Sequence, residues 1–194
     1  MKKLCSLLAS STMTLAAIST FSLAHAAQGV DLVFNGVPSA NVAAAPALPA
    51  FADWCSAACF PTTQFPVYDV GTGIKRGMAY VWGRTFAYGA GGSLCFSEFI
   101  SFSLNEGELQ VVSGPNGTCG APIDPELKPP LHADLGAQVV IAGGGDGVIA
   151  GGSGRFKGWT GTYTDRVFVG FGNASSGVGG IVYYDQLWFS VSAK

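Results

Sequence analysis

An all-β fold closed into a barrel or a sandwich is what this sequence predicts, and three observations carry the prediction. Residue character alternates with a period of two over strand-length stretches. Phe96, Glu98, Ile100, Phe102 and Leu104, for example, alternate with Cys95, Ser97, Phe99, Ser101 and Ser103. Glycine supplies 28 of 194 residues, about twice its usual share, and much of it falls at strand ends and turns. No window sustains a helical period. Roughly six to nine strands with frequent turn signals favour closure, because closure hides the unpaired backbone of sheet edges.

Composition also limits the function. Charged residues make up 11% of the chain, less than half of the roughly 25% typical of soluble domains. A net charge of −2 provides no basic cluster for nucleic acid or an anionic bilayer, and both partners are set aside. The two histidines, His25 and His132, are too few for a multi-histidine metal site once the leader is removed.

The elements follow in chain order. Lys2 and Lys3 precede an apolar, uncharged run from Leu4 to Leu23, and Ala24-His25-Ala26 has the small-x-small pattern of a signal-peptidase site. A retained membrane anchor is the alternative, opposed by the polar Ser6, Ser10, Ser11, Thr12, Thr14, Ser19 and Thr20. A lipoprotein reading of Cys5 fails because no apolar segment precedes it. Residues 1–26 are therefore expected to be a cleaved signal peptide, and the mature chain an exported one, periplasmic or extracellular. Residues 27–66 form a short strand, Val30 to Phe34, followed by an Ala/Pro-rich loop bearing cysteines. Residues 67–194 complete a single domain. Within the loop, Phe51, Trp54 and Phe60 predict that it packs over a surface rather than trailing free.

Export allows thiols to oxidise. Cys55, Cys59, Cys95 and Cys119 remain in the mature chain, and their even number predicts two disulfides with three arithmetical connectivities. A hairpin turning at Asn105-Glu106-Gly107 places Cys95 close to opposite Cys119. The expected pairing is Cys95–Cys119, with Cys55–Cys59 stapling the loop. A zinc site on the four cysteines is disfavoured, since neither pair has the two-residue spacing of a zinc knuckle.

Strand periodicity resumes at Val67. Ile74, Arg76, Met78, Tyr80, Trp82, Arg84, Phe86 and Tyr88 share one bulky face, and the residues between them are smaller and include glycines, which predicts a long bent strand. After Phe96–Leu104 come Leu109 to Ser113, a Gly/Pro-rich excursion from Gly114 to Pro130, and strands at Ala137–Ala142, Trp159–Gly170 and Gly180–Val191. The glycine stretch Gly151-Gly152-Ser153-Gly154-Arg155-Phe156 lacks the Gly-Lys-Ser/Thr ending of a phosphate loop, and no helix pattern follows it. It reads as a turn between strands.

That Gly-Gly-Ser-Gly-x-Phe turn resembles the corresponding motif of the allene oxide cyclase and dirigent family. Tyr68-Asp69-Val70-Gly71 with Lys75-Arg76-Gly77 is similar to the family's Tyr-Asp…Lys-x-Gly hairpin. The stretch from Phe102 to Gly114 is similar to its strand, glycine turn and strand. The three occur in family order and span roughly Phe65 to Val169. The resemblance implies an eight-stranded antiparallel β-barrel with an apolar pocket, often dimeric or trimeric. It further implies a protein that steers cyclisation of a reactive small molecule with neither metal nor organic cofactor. The cysteine-bearing loop and the excursion at Pro115–Pro130 are additions to the family pattern, and substrate identity does not carry over.

Within a barrel, a carboxylate on an apolar strand face is buried or paired. Glu98 is the leading candidate acid or base, with Tyr80 or Arg84 as neighbours that orient a ligand oxygen. The alternative is a structural ion pair of Glu98 with Arg84 or Arg76. Trp82, Phe102, Tyr183 and Asp185 are candidate ligand contacts, with a core role as the alternative for the aromatics and a backbone-satisfied strand end for Asp185. Gly151, Gly152, Ser153, Gly154 and Phe156 are assigned to the turn. Asp69 is read as a turn former, and of Asp165 and Arg166 at most one faces the interior. A hydrolase triad on His132 lacks a nucleophile elbow, because Gly152-Ser153-Gly154 is incomplete.

Two function classes remain. One is a cofactor-free cyclase, isomerase or dirigent-type guide acting on a small apolar or phenolic molecule. The other is a non-catalytic exported barrel that binds a ligand or mediates assembly. The leader assignment carries its own test: mature protein from the exported fraction should begin at Ala27 by N-terminal sequencing. A chain retaining Lys2 and Lys3 would refute the cleavage.

Overall fold

The structure is a computed structural model that describes residues 28–36, 49–55, 59–124, 137–172 and 181–193. Residues 1–26, read above as a leader, and His132 lie outside these residues, as do the side chains of Tyr183 and Asp185. Ten strands carry the fold. They are β1 (Gln28–Gly36), β2 (Phe60–Asp69), β3 (Lys75–Tyr88), β4 (Leu94–Leu104) and β5 (Gly107–Ser113), then β6 (Thr118–Ile123), β7 (Val139–Gly144), β8 (Asp146–Gly152), β9 (Gly161–Phe171) and β10 (Ile181–Ala193). A short helix, α1 (Pro49–Trp54), precedes β2.

The pairing closes on itself. β10, β1, β2, β3, β4, β5, β8 and β9 follow one another antiparallel, and β9 returns to β10, giving an eight-stranded barrel. β6 and β7 fit into the same ring. β5 and β6 run in the same direction along β4, separated by a turn at 114–117 in which the Gly117 amide bonds the Gly114 carbonyl at 3.0 Å. β7 and β8 likewise run along β9 on either side of Gly145. Each couple is one long barrel strand with a break in it, and the two broken strands pair with each other.

Alternation sets the inside. Glu98, Ile100, Phe102 and Leu104 of β4 are buried, as are Leu109 and Val111 of β5 and Tyr163, Asp165, Val167 and Val169 of β9. β10 follows a modified rule. Its register slips between Gln186 and Trp188, so Tyr184 and Phe189, of opposite parity, both belong to the main core. Phe34 sits at the centre, with ring centroids 5.8 Å from Phe65, 5.7 Å from Phe102 and 6.1 Å from Tyr184. Aromatic pairs at such separations add about 0.5–1.5 kcal/mol each beyond area burial.

Three sequence expectations require correction. The segment Asn35 to Pro66 is not all loop, because β2 begins at Phe60 and α1 lies within it. Pro61 and Pro66 read as strand breakers. β1 pairs only with Val67, Tyr68 and Asp69 of β2, so the missing proline donors interrupt no ladder bond on that side. The excursion after Gly114 contains β6, whose Gly120 and Pro122 obscured it. The irregularities of β3 are not confined to glycine: its register slips against β2 at Gly77, and again against β4 between Arg84 and Ala87, where Thr85 has φ 56°.

The cysteine-bearing loop does pack on a surface. Phe51 and Trp54 of α1 cover the outer side of β3 and β4, with Phe51 4.8 Å from Trp82 and Trp54 5.7 Å from Phe99 between ring centroids. The disulfide Cys55–Cys59 follows directly, and Cys95–Cys119 links β4 to β6. Both pairings are as expected.

The glycine turn locks against the β4–β5 hairpin. Ser153 N donates to Glu108 O at 2.8 Å and Arg155 N to Glu106 O at 2.9 Å. Gly154, at φ +58°, approaches so closely that a Cβ there would stand 2.3 Å from Glu106 O and 2.9 Å from Gly107 Cα. Both obstacles are backbone, so relief requires the hairpin to move. Gly154→Ala should therefore destabilise the protein by about 2 kcal/mol, a fall in Tm of roughly 6 °C, in thermal unfolding followed by circular dichroism. An unchanged Tm would show the contact to be soft.

Candidate functional site: a buried acid cluster

The two strand breaks face two carboxyl groups. On β4, Phe96 pairs with Thr118 of β6 and Phe99 with Val112 of β5, leaving Glu98 opposite the 113–117 break. Ser113 compensates, its hydroxyl accepting the Glu98 amide at 2.9 Å. On β9, Thr164 pairs with Asp146 and Val167 with Gly143, leaving Asp165 opposite Gly145. Here the Asp165 amide donates to Gly145 O at 3.0 Å, and the Gly145 amide donates back to Asp165 Oδ1. The breaks also touch, for a Cβ on Gly145 would meet Thr118 Oγ1 at 2.8 Å.

Both carboxyl groups are 0% exposed. Glu98 Oε1 accepts from Thr118 Oγ1 at 2.7 Å and from Tyr163 OH at 3.0 Å, whereas Oε2 is buried with no hydrogen-bond partner. Tyr163 crosses the interior along one row of the sheet. Glu98 pairs with Gly83 on one side and adjoins Ser113 on the other, Ser113 pairs with Gly147, and Gly147 pairs with Tyr163. A Cβ on Gly147 would stand 2.5 Å from Tyr163 Cε1, so the ring lies over a position that only glycine leaves open. The ring also stacks on Phe189 at 4.8 Å between centroids.

This setting controls protonation. Burial, with the nearby Asp165 charge second, raises Glu98 from its ordinary 4.5 to about 8, against the opposing pull of hydrogen bonds from Thr118 and Tyr163. At neutral pH Glu98 keeps its proton. Burial first, and then the negative charges of Glu98 and Asp165, raises Tyr163, and the same causes raise Tyr184. Both phenols are neutral donors throughout the working range. The cluster is thus a neutral carboxylic acid beside a second carboxyl group and two phenols, which is a proton donor and acceptor system in an aromatic enclosure.

Of the residues singled out from sequence, Glu98 and Phe102 lie inside the barrel. Tyr80, Trp82 and Arg84 do not, which corrects the expectation that Tyr80 or Arg84 flanks Glu98. Because Glu98 pairs with Gly83, the even-numbered residues of β3 point to the outer side, where Tyr80 and Trp82 lie 6.2 Å apart beneath α1. Arg84 stands 4.5 Å over the Trp54 ring and donates to the Trp54 carbonyl. Arg76 does not reach Glu98 either, since it bridges Asp69 at 3.1 Å and Glu106 at the mouth of the barrel. Asp69 itself anchors the β2–β3 turn by accepting from Thr72 N and Oγ1, both at 2.9 Å, and the Thr72 hydroxyl holds its carboxyl below the usual range. The Asp185 backbone pairs with Asn35 and Phe168. Gly151 and Gly152 end β8, Ser153 and Gly154 make the turn, and Phe156 is fully buried beneath it.

Sequence reasoning passed over Tyr163, Thr118 and Tyr184 and gave Asp165 little weight. For Asp165 the signal was present, since Tyr163, Asp165, Val167 and Val169 form an apolar face broken by a carboxylate, the pattern that singled out Glu98. Thr118 sits in the excursion, and the slipped register of β10 conceals Tyr184. Among the described residues no three His, Cys, Asp or Glu side chains converge as a metal set. No protein-family model matches the chain, and no curated protein matches it.

The raised Glu98 value makes stability depend on pH. Below 4.5 folded and unfolded chains both hold this proton; from 4.5 to about 8 only the folded chain keeps it, so stability falls by about 1.4 kcal/mol per pH unit. Above that window the loss is complete. Glu98→Gln keeps the shape and removes the titration, so urea unfolding across the window should show the slope in the parent and its loss in the variant. Equal slopes would assign the proton uptake elsewhere.

Proposed function

We propose that this chain is an exported, cofactor-free β-barrel that takes a small apolar or phenolic, oxylipin-like molecule against Glu98 and steers its cyclisation or isomerisation. The observation that carries the reading is the acid cluster: a protonated carboxyl group with one unpartnered oxygen, beside Asp165 and Tyr163, the Tyr163 ring stacked on Phe189 where the cluster meets the aromatic core. Such a pair is a poor stabiliser, because apolar residues of like volume fill a core at lower cost. Perturbed acids held against aromatic walls are a common signature of sites. The resemblance of the glycine turn and both hairpins to allene oxide cyclase and dirigent proteins supports the same chemistry, and a dimer or trimer with it. Two disulfides and the leader composition support export.

The chemistry needs no net proton. Glu98 donates its proton to a ligand oxygen, the Tyr163 hydroxyl hydrogen-bonds that oxygen as charge develops, and the ring or double bond rearranges within the aromatic enclosure. The proton lost from the product carbon returns to Glu98. Glu98 has no exposed surface, so entry requires the surrounding side chains to move.

A second reading has its own observation. Each carboxyl group faces a strand break and is tied to it, that of Glu98 through Thr118, with its amide on Ser113, and that of Asp165 through Gly145. On that reading the acids are clasps in a non-catalytic binding or assembly barrel. Native mass spectrometry of mature parent and Glu98→Gln protein, from the exported fraction, separates the two. A co-purifying apolar or phenolic molecule in the parent, and its unrearranged isomer accumulating in the variant, is the expected outcome. No adduct in either protein would favour the clasp.

A further inference from the structure

Access to Glu98 Oε1 is shared by two hydroxyls, and one of them is placed by a short seam. β6 meets β4 through only Leu94–Gly120, Cys95–Cys119 and Phe96–Thr118. The central pair is the disulfide. Thr118 follows on the Glu98 side, is 1% exposed, and has its hydroxyl on Oε1 at 2.7 Å. Beyond Phe96 the seam ends at the 114–117 turn, so the cross-link is the covalent tie nearest the acid. The other neighbour of β6 is β7, at Cys119–Gly144 through Ile123–Val140, which leaves Thr118 outside that ladder.

We infer that the Cys95–Cys119 disulfide is a positioning element for the acid, holding the Thr118 hydroxyl on Glu98 Oε1. The inference rests on reading Glu98 as the acid of the site, but it concerns proton affinity and requires no ligand. Asp165 and Tyr163 of β9 and Tyr184 of β10 are the titratable groups facing Glu98, and Thr118 of β6, Ser113 of β5 and Gly83 of β3 complete its surroundings. A donor to the ionised oxygen favours the charged form, so releasing Thr118 increases proton affinity.

The test is the Glu98 titration, followed by carbon-13 NMR of the carboxyl group in the full mature chain and assigned with Glu98→Gln. The Cys55→Ser/Cys59→Ser background leaves one disulfide for dithiothreitol to reduce. The dithiol attacks a sulfur, the S–S bond breaks, two protein thiols form, and the reductant leaves as its cyclic disulfide. Reduction should raise the midpoint from about 8 by about one pH unit, a tenfold change in proton affinity. Oxidised Thr118→Val should show the same rise, Thr118→Ser should restore the parent value, and reducing Thr118→Val should add nothing. An unchanged midpoint would overturn the inference, as would a shift that persists in Thr118→Val. A fall would instead identify the disulfide as a seal against water, and loss of strand signal on reduction would identify it as a staple of the fold. Ligand capture by the oxidised parent is a separate measurement, so either claim can fail alone.

Discussion

Two carboxyl groups enclosed in an apolar barrel do not both ionise at neutral pH, and much of the interior is arranged around that constraint. Coulomb repulsion and lost hydration act together on Glu98 and Asp165, and the proton retained by Glu98 relieves both. Tyr163 reaches Oε1 only because Gly147 lacks a side chain beneath its ring. Asp165 accepts from the Gly145 amide only because the β7–β8 strand is broken there. At Asp165 the interrupted ladder frees the Gly145 backbone groups, and the Asp165 amide and carboxyl group partner them; at Glu98 the freed amide is taken up by the Ser113 hydroxyl instead.

Away from this row the barrel is held by ordinary means. Phe34, Phe65, Phe102, Phe189 and Tyr184 fill the interior in tilted, edge-on and stacked pairs, and removing one large ring from such a core costs about 3–5 kcal/mol. The outer side of β3 and β4 carries Trp82 and Phe99, which would be exposed without Phe51 and Trp54 over them. That cover explains Tyr80 and Trp82 on the outer face of β3 and why a six-residue helix is fastened by Cys55–Cys59, whereas Phe86 and Tyr88 further along the strand stay exposed. At one end of the barrel, Gly107 and Gly154 bring two turns into backbone contact, and Arg76 ties the β2–β3 turn to the same hairpin through Asp69 and Glu106.

The three stretches that resemble allene oxide cyclase and dirigent proteins meet at that end. The Tyr68–Gly77 hairpin, the Phe102–Gly114 hairpin and the glycine turn are joined by Arg76–Glu106 and by the Ser153 and Arg155 amides on Glu108 and Glu106. Their chemistry concerns closure of the barrel. The acid cluster lies further along the sheet, and of those stretches only the Phe102–Gly114 hairpin reaches its row, through Ser113.

Local rules sufficed for much of this. Alternation determined that β4, β5 and β9 are strands and which of their faces is apolar. The Asn105-Glu106-Gly107 turn set the β4–β5 register, and the extra residues of the 114–117 turn then shifted β6 so that Cys119 lies opposite Cys95. The carboxylate on the apolar face of β4 marked Glu98 as buried. What only the tertiary structure decided was which side of each sheet became interior. Trp82 and Phe99 are as hydrophobic as Phe102, and nothing local states that a distant helix will cover them outside the barrel. Partners of Glu98 were equally out of reach, because Thr118 and Tyr163 lie 20 and 65 positions away along the chain. A slipped register in β10 and a four-residue break between β5 and β6 altered parity there, and parity is the property from which sequence reasoning assigns faces.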